Sequence, residues 1–343
     1  MSVAPGGTVE APRSWLTPEK HYLAVLENPW YRNLTILQDI VTHSTTEFWT
    51  RRGARNLHLP ITTGSISSPM GRGSDSSPVE VELEGVPTYL ADSMQFMLEF
   101  GCRLAPQGSY YLMPSFRGES ADQTHLCQFF HSEAEVAGGL DDVIEVVEAY
   151  LRHLATSFLT HGRQAITEMA GSVEHLEILA GSGSLPRVPF EEAVELLRDQ
   201  PDAVSVLEPQ CRSLTRQGER ALMDKFGGYV WLTHPDHLSV PFYQAFAEED
   251  PAKALSADLL FGIGETVGAG ERHTDVADLR RALALHEVPE DAYEWYVNMN
   301  ARHPMRTSGF GLGVERFLLW ATQHDDIRDL ALLLRFNGSA ILP

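Results

Sequence analysis

Only three cysteines occur in 343 residues, Cys102, Cys127 and Cys211, and no two form a C-x-x-C pair. That excludes a disulfide framework and a zinc knuckle, and makes a reducing cytoplasm the expected setting. Bases are scarce as well: 26 Lys and Arg stand against 47 Asp and Glu, a formal net charge of −21. So acidic a chain is a poor non-specific binder of nucleic acid. The densest basic run, Arg212 to Arg220, reads as a solvated helix face. No apolar run is long enough to span a bilayer, and Met1 to Gly7 lacks the basic region and apolar core of a signal peptide. There is no H-E-x-x-H, no Walker lysine loop and no G-x-S-x-G. The 14 histidines are scattered, without zinc-ligand spacing.

Residues 1–25 are expected to be a mobile N-terminal segment, rich in Pro, Gly, Ser and Thr up to about Pro18. Residues 26–343 are expected to form one domain. Leu34, Leu37, Ile40, Val41 and Phe48 fall at helical spacing, and Gly53 ends that helix. A short strand, Asn56 to Leu59, is stopped by Pro60. Thr62 to Pro78 is a Ser/Gly/Pro loop of the kind that often serves as a lid. Strands are expected at 79–83, 110–116, 127–136, 229–232 and 257–263. Helices are expected at 93–102, 141–160, 190–199, 276–286 and 291–300. Strands and helices mix without βαβ alternation, which predicts an α+β fold with an antiparallel sheet flanked by helices.

The most informative run is Gly309-Phe-Gly311-Leu-Gly313-Val-Glu315-Arg316. Alternating glycines leave one face of a strand bare, so a flat ligand can lie against the backbone. Arg316 follows where a helix begins, and a guanidinium beside such a platform suits a phosphate-bearing ring, ATP above all. A second cluster is Phe116-Arg117-Gly-Glu119 with His125 and the strand bearing Phe129, His131, Glu133 and Glu135. Alternation puts Phe129 and His131 on one strand face, and likewise Glu133 and Glu135. An arginine, an aromatic platform and acids around one hairpin suit a phosphate, a purine and a cationic group; a surface hairpin with charges in water has the same sequence. Asp258 and Glu265, at the ends of one predicted strand, suit a magnesium ion that bridges phosphates; an ordinary strand with a Gly262-x-Gly264 turn is the plain alternative. Gln95 and Glu99 share a helix face, with Ser93 as its N-cap.

Taken in order, these segments resemble the catalytic domain of class II aminoacyl-tRNA synthetases, from about Leu34 to Gly338. The helix, strand and Pro60 look like that class's first motif, Phe116 to Glu135 like the second, and Gly309 to Arg316 like the third. Ile327-Arg328-Asp329 points to the aspartyl/asparaginyl/lysyl subgroup. Ser93-x-Gln95-x-x-x-Glu99 is similar to the asparaginyl pattern, where the aspartyl enzymes carry lysine in place of Glu99. Glu271-Arg272 and Tyr293-Glu-Trp295-Tyr296 look asparaginyl-like too.

The resemblance implies roles. Arg117 would hold the α-phosphate and the substrate carboxylate. Phe129 would stack on adenine, with Arg316 on its other face and near the γ-phosphate. Glu119, His125 and Gly313 would line the ATP pocket, and Asp258 and Glu265 would hold Mg²⁺. Ser93, Gln95 and Glu133 would receive the amino acid's ammonium group, while Arg272 and Glu99 would read its side chain. A carboxylate beside the arginine supplies an acceptor for an amide, which fits asparagine better than aspartate. A homodimer through the first motif is also implied.

Three departures bear on the acceptor. Only about thirty residues precede the first motif, too few for the anticodon-reading OB-fold of asparaginyl enzymes. The expected Phe-Pro-Arg stands as Leu333-Leu334-Arg335. The loop bearing Met70-Gly-Arg72-Gly-Ser-Asp75 has no evident counterpart in the canonical enzymes. The expectation is therefore a ligase that forms an aminoacyl-adenylate and transfers the acyl group to ammonia, an amine or a carrier. The alternatives are transfer to a tRNA through its acceptor stem, and a non-catalytic ATP-binding paralogue, which the presence of Arg117 and Arg316 disfavours.

Overall fold

The computed structural model describes residues 8–67 and 77–341. In chain order the strands are β1 Arg55–Asn56, β2 Thr62–Thr63, β3 Val79–Leu83, β4 Val86–Leu90, β5 Ser109–Phe116, β6 Gln128–Ala137 and β7 Arg187–Pro189. They continue as β8 Val204–Glu208, β9 Cys211–Leu214, β10 Val230–Thr233, β11 Ser256–Phe261, β12 Gly264–Glu271 and β13 Thr307–Gly313. The helices are α1 His21–Glu27, α2 Pro29–Arg51, α3 Gln95–Leu104, α4 Leu140–His161, α5 Arg163–Ala170 and α6 Glu174–Ala180. After them come α7 Phe190–Leu196, α8 Arg216–Lys225, α9 Val276–Leu285, α10 Glu294–Arg302 and α11 Val314–Ala321.

Eight strands form the main sheet in the order β1-β5-β6-β13-β12-β11-β10-β7. Its centre is antiparallel, as expected; only the edge pairs β1–β5 and β10–β7 run parallel. One face packs on α4. That helix starts after Gly139, where Asp142 accepts the Gly139 N–H at 2.7 Å. Its Val143, Ile144, Val147, Leu151, Leu154 and Phe158 follow i, i+3, i+4 spacing and are buried. They join the sheet and α2 in one apolar core. The opposite face carries α3 over β5 and β6 and α8 over β11 and β12, with the polar groups described below between them.

Several boundaries moved. Helix α2 begins at Pro29, five residues before the expected start, because Asn28 caps the Trp30 N–H at 2.8 Å and Pro29 fits the first helical position. From Val9 onward the N-terminal stretch is fastened to the body rather than free as expected for residues up to 25. Val9 N–H donates to Glu168 O at 2.6 Å, and buried Ser14 bonds His21 and Tyr31. Arg13 pairs with Asp325 and Asp329, so the Ile327-Arg328-Asp329 run serves as its anchor. The basic run Arg212–Arg220 is not one helix face. Arg212 lies in β9 and is paired with Asp236 and Glu191, and only the residues from Arg216 on are helical. The segment Met70 to Asp75 lies outside the described residues. Among the described residues no helix is long and apolar enough to cross a membrane.

Candidate functional site

Strand register builds the site. Along β6, His131, Glu133 and Glu135 stand directly opposite Gly313, Gly311 and Gly309 of β13. Gly311 and Gly309 in turn face Gly268 and Gly270 of β12. The result is a floor of paired glycines on two central strands, walled by acids on one side and by Asp258 of β11 on the other. The bare face is therefore not a platform for a flat ligand. A Cβ on Gly309 would strike the Glu135 carboxylate and lie 2.7 Å from Ala134 O and 2.8 Å from Arg272 Nη2. One on Gly311 would lie 3.0 Å from Glu133, and the aliphatic part of Arg316 covers Gly313. The glycines make room for charged side chains, because a strand carrying a Cβ at each position could not admit them.

At the cationic end, Arg117 leaves β5 with its guanidinium 5.5 Å from the Phe129 ring centroid. Its Nε is buried without a partner, and so is Oε2 of Glu119, whose Oε1 accepts the Ser77 N–H at 2.9 Å. Phe129 meets His131 edge to face. Arg316, in the first turn of α11, donates to Glu265 O at 2.5 Å. Burial lowers its pKa, and its neighbour Arg117 adds to that. Unpartnered donors on converging arginines describe a place for an anion. His125 lines a cavity of about 470 Å³ together with Arg316, Glu265, Asp258 and Glu219.

Asp258 and Glu265 do not sit at the two ends of one strand as expected. Gly262 and Gly264, both at positive φ, turn the chain between β11 and β12, so the two carboxylates lie on neighbouring strands. Both face the space above Gly268, whose Cβ would be 3.2 Å from Glu265 Oε1 and 3.7 Å from Asp258 Oδ1. Glu219 of α8 joins them, a residue the sequence did not single out. Burial, then Glu265, pushes Glu219 up to about 7. Burial and the two other acids hold Asp258 well above the carboxylate range. Carboxylates crowded until they retain protons suit a divalent cation, which would relieve that repulsion. No group of three or more His, Cys, Asp or Glu among the described residues has metal-holding geometry. A magnesium ion here would draw on two carboxylates and complete its shell with phosphate and water oxygens.

At the acidic end, Ser93 is not the N-cap of α3. Its hydroxyl accepts the Gln95 N–H at 3.1 Å and donates to Glu133 at 2.6 Å. Tyr111, opposite Glu133 on β5, also donates to that carboxylate. Burial pushes Glu133 up to about 7. Gln95 Nε2 is buried without a partner. Arg272 donates Nε and Nη2 to Glu135 at 3.1 and 3.0 Å, and Nη1 to Gln244 at 2.9 Å. Glu99 is more distant from it, at 4.0 Å, and accepts from Tyr296 at 2.8 Å. Burial, then Glu135, raises the Glu99 pKa far above the usual range.

Arg272 thus makes its hydrogen bonds to Glu135 and Gln244, with Glu99 at ion-pair distance beyond them. The sequence reading missed Tyr111 and Gln244, and it named Tyr296 and Glu315 only as parts of motifs, with no role at the site. Buried Glu315 accepts the Phe130 N–H at 2.9 Å and so ties α11 to β6. The signal for Glu135 was present, since it shares the face of Glu133.

Comparisons with known proteins bear on the family and the fold. A family model described as "tRNA synthetases class II (D, K and N)" matches residues 15–336. The asparagine--tRNA ligase of Koribacter versatilis is 28% identical over 330 residues, 92% of this chain and 72% of that protein. That of Desulforamulus reducens is 29% identical over 269 residues, and the match spans 61% of its length. Asparaginyl-tRNA synthetase from Pyrococcus horikoshii, solved with asparaginyl-adenylate, superposes with a TM-score of 0.86 at 24% identity, covering 97% of this chain and 74% of that one. The Entamoeba histolytica enzyme, also solved with asparaginyl-adenylate, gives 0.80 at 20% identity, over 96% of this chain and 71% of that one. At these identities the likeness is one of fold.

Proposed function

The chain belongs to the class II tRNA synthetases of the D, K and N group, a family of ATP-dependent adenylate-forming ligases, and from that membership we propose that it activates an asparagine-like amino acid as its adenylate. One observation carries the reading: along a single strand, β6, the site changes from cationic to acidic. Arg117 lies over Phe129 at one end, and Glu133 and Glu135 are buried at the other. Such a gradient accepts an anionic nucleotide and an ammonium group side by side, with the amino-acid carboxylate between them.

In the reaction the amino-acid carboxylate oxygen attacks the α-phosphorus. The bond to the bridging oxygen breaks, and pyrophosphate leaves with the electron pair. No protein nucleophile and no proton transfer are needed, so the work is positioning and charge stabilisation. Arg117 holds the α-phosphate and the attacking carboxylate; Arg316 and Phe129 hold adenine, with Glu119, His125 and Gly313 around the nucleotide. Asp258 and Glu265 would hold magnesium, which neutralises charge on the phosphates. Ser93, Gln95 and Glu133 receive the ammonium group.

The side-chain end supports an amide over a carboxylate. Arg272 is neutralised by Glu135, and Glu99 holds its proton. A neutral pocket with donors and acceptors does not reward a second negative charge.

For the acceptor, the net charge of −21 and the acids Glu119 and Asp122 in the turn after Arg117 favour ammonia, an amine or a carrier. The names of the relatives favour a tRNA. Amino-acid-dependent ATP–pyrophosphate exchange, run on a panel of asparagine and aspartate analogues, tests activation. No exchange with any of them removes the proposal, and tight ATP binding without exchange points to a non-catalytic paralogue. Transfer of labelled amino acid to total tRNA, beside transfer to ammonia and small amines, decides the acceptor.

A further inference from the structure

The basic run Arg212–Arg220 divides three ways in the folded chain. Arg212 is consumed by Asp236, with Nε at 2.7 Å and Nη2 at 2.8 Å, and by Glu191. Arg220 lies in a separate, open groove with Gln217, Asp224 and Lys225. Arg216 faces the cavity that holds Arg316, Glu265 and Asp258; Arg212 lines it too, but with its guanidinium already taken by acids.

Its guanidinium there is under-used. Nη2 donates to His125 Nδ1 at 3.1 Å. The carboxylate paired with it, Asp122, is 3.9 Å away, beyond hydrogen-bond reach, and its Oδ1 already accepts from Thr124 and His125 N–H. One bond to an imidazole leaves most of the five N–H donors of an arginine to be satisfied by something else.

The placement of Arg216 is fixed by its backbone. Thr215 caps α8 by accepting the Gly218 N–H at 3.2 Å, and the Thr215 N–H donates to Ala203 O at 2.9 Å. Gly218 lies so close to Ala203 that a Cβ there would lie 2.9 Å from its carbonyl carbon. The first turn of α8 is thus keyed to the chain before β8, and Arg216 is presented from it. Arg316, across the cavity, has a backbone carbonyl as its hydrogen-bond partner. Both arginines act electrostatically on His125, and Arg216 acts on Arg316. Like charges gathered around one cavity, with donors to spare, call for a multiply charged anion between them.

We propose that Arg216 is a third phosphate-binding arginine, which holds the β- and γ-phosphates of the nucleotide from α8, in the segment between β7 and β10 that covers β11 and β12. This rests on the reading of the cavity as an ATP site. It adds a consequence: the covering segment takes part in holding the pyrophosphate end, so release of pyrophosphate and the seating of α8 are linked.

Calorimetric titration with α,β-methylene-ATP and with AMP tests it, on the unmodified protein and on Arg216→Ala, Arg216→Lys and Arg220→Ala. The triphosphate analogue is expected to bind Arg216→Ala about tenfold more weakly, the scale of one charge-assisted hydrogen bond. AMP binding should not change, Arg220→Ala should match the unmodified protein, and Arg216→Lys should fall between. Unchanged triphosphate binding by Arg216→Ala overturns the inference and leaves the nucleotide site standing. Equal loss for AMP and the triphosphate overturns it in favour of a structural role for α8. An unmodified protein that binds neither nucleotide removes the reading of the cavity, and the inference with it.

Discussion

Arg272 and Glu135 are joined side-on inside the sheet, Nε and Nη2 reaching the carboxylate at 3.1 and 3.0 Å, in space that Gly309 leaves free. Neither side chain has access to water, so each depends on the other. Glu135→Ala would leave a buried, unpaired guanidinium, at a cost of about 3–5 kcal/mol. Gly309→Ala should lose a comparable amount by another route, since its methyl group meets the Ala134 carbonyl as well as the ion pair. Urea unfolding of both variants checks this; a loss below about 1 kcal/mol in either would show that the pair relaxes freely.

Glu133 gives a pH signature. Its pKa is about 7 in the folded protein and about 4.3 in an unfolded chain. Between those values the folded state binds the extra proton, so this group's contribution to stability falls as pH rises from about 4.5 to about 7. Glu133→Gln cannot ionise. Its stability relative to the unmodified protein should therefore climb across that window, by on the order of 3 kcal/mol in total. Paired thermal or urea unfolding series at several pH values measure the difference directly. A flat difference would mean that Glu133 ionises normally.

The same variant should fail as an enzyme. Glutamine at 133 cannot neutralise an ammonium group, and the amino acid's KM in exchange should rise about a hundredfold or more while the KM for ATP stays within threefold. Amino-acid affinity of the unmodified protein should also weaken as pH drops below about 7, where Glu133 takes up its proton. An equal rise in both KM values would place Glu133 outside the ammonium subsite.

Arg316→Ala should lower exchange by about 10²–10³, the usual effect of removing one transition-state donor. Asp258→Asn with Glu265→Gln should shift the magnesium needed for half-maximal exchange upward by tenfold or more, with the fold intact by circular dichroism. Burial raises the Asp258 pKa, so the magnesium requirement should also rise as pH falls. Exchange that is indifferent to the double substitution would move the metal elsewhere.

A homodimer through the first motif, α2 with β1 and Pro60, would bring the neighbouring helix α3 to the same sheet edge, and it is tested there. Phe100 and Leu104 are 41% and 71% exposed, beside the edge strand β1, against whose neighbour Leu57 Gly101 packs. A large apolar pair at a sheet edge is what a two-fold contact would cover. Leu104→Glu should convert a dimer to a monomer in sedimentation velocity. A protein that is monomeric at the outset removes the expectation.

Local spacing made much of this legible. Strands β5, β6 and β13 and helices α3, α4 and α11 follow from periodicity, and the glycine run with Arg316 pointed to the site. What the sequence hid were partners brought from afar. Gln244 meets Arg272, and Glu219 meets Glu265, only because loops and a helix fold over the sheet. Strand β12 was hidden for another reason. Gly262-x-Gly264 read as a turn and nothing beyond it as a strand, whereas glycines of two strands, in register, make a floor. Nor could a one-dimensional pattern say that the bare face would be filled by the protein's own acids. The Asn28-Pro29 pair was a readable start for α2, since a capping residue before proline marks a first turn.

The glycine floor has a consequence for how the protein can change. On most sheets the residues that fill the interior differ from those that choose the ligand. Here Glu133, Glu135, Arg272 and Gln244 lie in the places that side chains of β12 and β13 would otherwise occupy. On the proposed reading of the site, selectivity and mechanical support rest on the same atoms. A substitution that retunes the choice of amino acid must also leave two central strands properly filled. New specificities in this scaffold should therefore arise through exchanges among polar residues of similar volume, several at a time, rather than through single steps.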